Sequence, residues 1–137
     1  MNIFFKLNGI RVNISKIKEI SIARKDAVRI TFDDDSTDIF STYGDAEDTI
    51  KRFEKTILQL FPCVEPTYNI YQDGVDSYFR ERVHYLALCV DGEIRSVAGT
   101  DLFVELAEES GNYVGCVNEK LLDDYPESDT EEGVING

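Results

Sequence analysis

In 27-AVRITFDDDSTDIFSTYGDAEDTIKRFEKTILQLFP-62 the apolar residues change their period. Val28, Ile30 and Phe32 alternate with polar residues, the period of two that sets one face of a strand against a core. Asp33, Asp34, Asp35 and Ser36 supply turn chemistry, and TDIFST reads as another short strand. From Asp45 onward the apolar residues fall at Ala46, Ile50, Phe53, Ile57 and Leu60. Steps of three and four mark an amphipathic helix. Asp45 is a suitable N-cap, with Asp48 completing an imperfect capping box, and Pro62 stops the helix after Phe61. The spacing predicts a helix over 45–61 that covers the apolar face of the strands before it.

Before this stretch, NIFFKL and IRVNI flank Asn8-Gly9, a pair that tolerates positive φ and signals a two-residue hairpin. Ile17, Ile20 and Ile22 continue as a strand, with Lys25-Asp26 as the next turn. Residues 2–42 therefore read as a meander of five strands. Beyond the helix, YNIY reads as a strand, Asp73-Gly74 as a turn and VDSYFRER as a helical turn. RVHYLALCV and EIRSVAG are joined by the turn Asp91-Gly92, and DLFVELAE pairs with NYVGCVNE around residues 109–112. The order of strands, one helix and more strands gives the α+β class: antiparallel meanders packed with one main helix and followed by an acidic tail. One domain over 1–118 is expected, with its second antiparallel set over 68–118. Residues 119–137, without core periodicity, are expected to form a flexible acidic tail whose removal leaves the fold intact.

The 137 residues suffice for one ordinary domain, and 42% hydrophobic residues can fill its core. Cys63, Cys89 and Cys116 match no metal spacing and cannot all pair within one chain. Cys89 and Cys116 lie in apolar runs and read as buried thiols in a reducing compartment. No run approaches a membrane span, and MNIFFKLNG lacks the features of a signal peptide, so a cytoplasmic location is expected.

The net charge is −13. Residues 1–25 carry six bases and one acid, whereas residues 26–137 carry eight bases and 26 acids. Lys6, Arg11, Lys16, Lys18, Arg24 and Lys25 near Phe4 and Phe5 could contact a single strand, but the surrounding negative field opposes direct nucleic-acid binding. These bases are expected to meet acids of the same chain.

Catalytic patterns are weak. His84 stands in an alternating strand with no nucleophile at a motif spacing, so an enzyme built on it needs Cys63 or Cys116 brought close by folding. The many carboxylates lack the cleft and separation of a glycosidase pair. Asp33 cannot start a calcium loop, because position six is Asp38 and position twelve Gly44. No glycine-rich phosphate cradle is present, and no motif requires a cofactor or a metal.

What remains is the acid itself. Charge runs are ordinarily solvated faces. Spaced carboxylates also complement a basic groove, steering association and orientation. On this reading Asp33, Asp34, Asp35, Glu108, Glu109, Asp123, Asp124, Glu127, Asp129, Glu131 and Glu132 contact a basic protein, standing where phosphates would. In size, charge and lack of catalytic motif the chain is similar to small acidic inhibitors of nucleic-acid enzymes. These include phage proteins that disarm restriction or CRISPR systems, and immunity proteins that neutralise nuclease toxins. The alternative is a binder of a small nucleotide signal, with Arg80, Arg82 and Arg95 beside Tyr78, Phe79 and Tyr85 around an anion. A further alternative is an enzyme using His84 or a cysteine.

Overall fold

A computed structural model describes residues 3–100 and 103–127. The fold is α+β, dominated by antiparallel strands with one α-helix among the described residues. The chain divides into two compact units. The first comprises residues 1–58 and 89–92, the second residues 59–88 and 93–137.

The first unit begins with the hairpin β1 (Phe4–Leu7) and β2 (Ile10–Asn13). Leu7 pairs with Ile10, so the loop is the two residues Asn8 and Gly9, at φ 49° and 80°. Positive φ at both positions matches the twist of the flanking strands. A sheet of β3 (Ile17–Arg24), β4 (Ala27–Phe32) and β5 (Thr37–Ser41) follows in chain order. Val28 and Ile30 of β4 are fully buried. They join Phe5, Leu7, Val12, Ala46 and Phe53 in one core.

The helix α1 is Ala46–Glu54, shorter than the 45–61 expected. Asp45 caps it as predicted, its carboxylate accepting from the Glu47 amide at 2.8 Å. Phe53 meets Phe5 edge-to-face with centroids 5.2 Å apart. The helix ends early, where its last carbonyl and one just beyond it find partners in the turn 89–92. The Asp91 amide donates to Glu54 O and the Val90 amide to Thr56 O. From Ile57 the chain is the strand β6 (Ile57–Pro62), where β-branched and aromatic residues are at home. Ile57 and Leu60 thus belong to a strand.

The second unit contains a three-stranded sheet ordered β12-β7-β8, from β7 (Thr67–Gln72), β8 (Tyr78–Arg82) and β12 (Tyr113–Asn118). A second sheet is ordered β11-β10-β9-β6, with β9 (Tyr85–Cys89), β10 (Ile94–Thr100) and β11 (Phe103–Leu106). Ile70, Val83, Ala87, Val97, Leu106 and Ala107 form buried parts of this unit. VDSYFRER yields the strand β8 rather than a helical turn, because β7 offers it a full antiparallel register from Tyr68↔Arg82 to Gln72↔Tyr78. β11 and β12 do not pair as expected. β11 joins β10, and β12 is held to β7, where Gln72 and Asn112 exchange two hydrogen bonds.

Residues 119–127 are not a free tail. Glu119–Asp124 forms a 3-10 turn whose N-cap Asn118 accepts from the Lys120 amide. The Glu119 amide donates to Pro66 O and the Tyr78 amide to Pro126 O. Tyr125 packs edge-to-face on Tyr78 at 5.3 Å, and Glu127 makes a parallel bridge with Tyr78. No helix among the described residues is long and apolar enough to cross a membrane.

Candidate functional site

The two units differ sharply in charge. The first holds eleven acids and ten bases, the second sixteen acids and four bases. Bases from the N-terminal strands meet acids of their own unit, as in Lys18–Asp35 at 2.7 Å and Arg24–Asp26 at 2.9 Å. Asp33, Asp34 and Asp35 therefore lie in a nearly neutral unit. Asp34 accepts from the amide and hydroxyl of Ser36, and these bonds hold its carboxyl below the usual value. That is turn chemistry, with Asp35 at φ 69°.

Two of the four bases in the second unit are engaged internally. The Arg80 guanidinium donates to Leu122 O at 2.9 Å and to Tyr125 O at 2.9 and 3.1 Å, and pairs with Glu127 at 3.7 Å. Arg95 pairs with Glu108 at 3.0 Å. Arg82 lies 5.8 Å from the Tyr68 ring. Of the residues expected around an anion, Arg80 and Arg82 share a face of β8, whereas Arg95 stands on β10. Arg80 clamps the chain's own 119–127 segment, and Phe79 faces the opposite side of β8 from Tyr78, Arg80 and Arg82. Tyr85 stands on β9, in the other sheet.

The same contacts revise the acidic set. Glu108 and Glu127 carry internal ion pairs, whereas Asp123 and Asp124 are exposed. Glu109 stands exposed in the short 3-10 turn after β11. Asp129, Glu131 and Glu132 lie outside the described residues.

Sequence reading missed the concave feature of this unit. A cavity of about 470 Å³ is lined by Tyr71, Asp73, Phe79, Glu81 and Glu105, together with residues of β10 and the 105–112 segment. Its floor is one sheet face. Asn69 and Tyr71 of β7 stand opposite Glu81 and Phe79 of β8. Glu81 Oε1 accepts from Tyr71 Oη at 2.8 Å and from Asn69 Nδ2 at 3.1 Å. Burial and the Glu81 contact, with Glu105 adding to the field, push the Tyr71 hydroxyl far above its usual pKa. Among the described residues, no lysine or arginine pairs with Asp73, Glu81 or Glu105. The alternation Asn69, Tyr71 and Phe79, Glu81 was visible in sequence, but reading β8 as a helical turn hid that these residues share a face.

The remaining chemistry-bearing residues do not converge. His84 is exposed, and its carbonyl accepts from the Cys63 amide. Cys63 Sγ donates to Glu65 O at 3.5 Å. Cys89 is buried as expected, but Cys116 is exposed, although its partner across the β12–β7 ladder is the buried Asn69. Partial burial of its sulfur nevertheless pushes the Cys116 thiol upward, away from an activated thiolate. Among the described residues, no group of three or more His, Cys, Asp or Glu side chains is placed to hold a metal. Comparison with protein-family models, curated proteins and solved structures found no match to this chain.

Proposed function

We propose that the protein is a non-enzymatic binding protein whose acidic second unit engages a basic protein. Its occupant of choice is the groove of a nucleic-acid enzyme, which the carboxylates block as phosphate surrogates. The class of inhibitor is that of phage anti-defence, anti-CRISPR and nuclease-immunity proteins, which the chain resembles in size, charge and lack of catalytic motif. The observation that carries the reading is the segregation of charge: sixteen acids against four bases in one unit, beside a nearly balanced one. A uniform excess of acid would serve solubility alone. Concentration in one unit gives a directional field that orients a basic partner.

The test is affinity capture from the native host, or from a cell carrying defence nucleases, at low and moderate salt. Any enzyme recovered is then assayed for nucleic-acid binding with increasing amounts of this protein. The reading expects a basic nucleic-acid enzyme, weaker retention at moderate salt, and competition with nucleic acid for the same site. Recovery of only neutral or acidic proteins, or binding without competition, would sink it.

A further inference from the structure

We infer that the cavity floored by β7 and β8 receives a guanidinium, as the anchor point for an arginine side chain of the basic partner. This rests on the acidic-partner reading above. The argument begins with chemical type. Asp73, Glu81 and Glu105 supply acceptors and negative charge, and among the described residues none is paired with a base. Both donors described for Glu81 land on Oε1, so Oε2 takes neither of them. Asn69 lies on the same sheet face outside the cavity lining, fully buried, and its amide nitrogen donates to Glu81 Oε1 and to Val97 O. Carboxylates without a base define a cationic ligand rich in N–H groups.

Shape selects among such ligands. Phe79 is 50% exposed, an aromatic ring left half open on the wall of the cavity. Tyr71 backs it with centroids 6.1 Å apart. A guanidinium is planar, stacks on aromatic faces and carries five N–H donors with no acceptor, whereas an ammonium is a compact hydrated point charge. A volume of about 470 Å³ falls within the range of formed ligand sites and exceeds what a bare ion needs. Arginine is also enriched at the anchor positions of protein interfaces.

The test has two arms. In the first, the full-length 15N-labelled protein is titrated with N-acetyl-arginine methylamide, and with the lysine and citrulline analogues. Amides of Tyr71, Phe79, Ala98 and Leu106 report the cavity, and those of Leu7 and Val28 serve as internal references. The inference expects saturable shifts confined to the cavity, with arginine binding about tenfold tighter than the uncharged citrulline. Glu105→Gln and Phe79→Ala should each weaken arginine several-fold, whereas Asp34→Asn should leave it unchanged. Equal shifts from citrulline, or none from arginine, overturn the inference.

In the second arm, Glu105→Gln and Phe79→Ala are carried into the capture experiment. Weaker retention of the basic partner by both supports the anchor. Full retention by both overturns it while leaving the acidic reading intact. If the wild type captures no basic protein, the acidic reading fails, and the arginine titration alone decides whether the cavity is a guanidinium site.

Discussion

Replacing Arg80 with alanine should release the C-terminal strap from β8. The side chain is 23% exposed, and its guanidinium reaches two carbonyls, Leu122 O and Tyr125 O, through three hydrogen bonds. A bond from a charged donor contributes about 1.5–3 kcal/mol. Two of the three bonds share one acceptor, and water can replace a donor near the surface, so the lower end of that range applies to each carbonyl. The pair with Glu127, itself 55% exposed, adds less than about 1 kcal/mol. The loss in docking free energy for 119–127 is therefore about 3–4 kcal/mol, or roughly a 150- to 850-fold rise in its open population. Hydrogen exchange reads this directly. The Tyr78 amide donates to Pro126 O and the Tyr125 amide to Leu122 O, and both should exchange faster by that factor. The Ile30 amide, deep in the first unit, serves as the reference. Arg82→Ala is the matched control, because its described contact is the Tyr68 ring, worth about 0.5–1 kcal/mol. Unchanged exchange at Tyr78 and Tyr125 in Arg80→Ala would refute the clamp. A chain ending at Asn118 should likewise melt below one ending at Glu127, which contradicts the tolerance of truncation expected from sequence.

Other outcomes follow from the core, the cap and the buried hydroxyl. Phe53→Ala removes a buried ring that packs edge-to-face on Phe5, and denaturant unfolding should show a loss of about 3–5 kcal/mol. Asp45→Ala leaves the Glu47 amide uncapped and should cost about 1 kcal/mol, with Asp45→Asn retaining most of it. Tyr71 has a raised folded-state pKa, so the folded form holds its proton more tightly than the unfolded chain. Its contribution is present below the unfolded value of about 10 and falls away as pH rises above it. Tyr71→Phe should flatten that alkaline loss in melting temperature, and an undiminished slope would show that other groups carry it.

Local order was legible where neighbours in sequence are also neighbours in space. Asn8-Gly9 fixed a hairpin because two positive φ angles are a property of those two residues. The alternation of Val28 and Ile30 identified a core face, and Asp45 marked the helix start, for the same reason. The α+β class followed from the change of period at Asp45. The acid excess was equally plain from composition.

Tertiary structure decided what depends on distant partners. Ile57 and Leu60 continue the helical stripe in sequence, yet the turn 89–92 binds Glu54 O and Thr56 O and the chain leaves as a strand. Tyr78–Arg82 has no strong local preference and becomes a strand through its register with β7. That pairing puts Glu81 and Phe79 on one face with Asn69 and Tyr71, and the opposite face receives Arg80 and its strap. A strand's two faces are assigned only when its partner fixes the register, because a shift by one residue exchanges them. The hairpin, the helix start, the fold class and the size of the negative charge follow from residues close together along the chain or from composition. Only the folded chain decided that this charge gathers in one unit, that residues 119–127 are held there, and which carboxylates meet around a cavity.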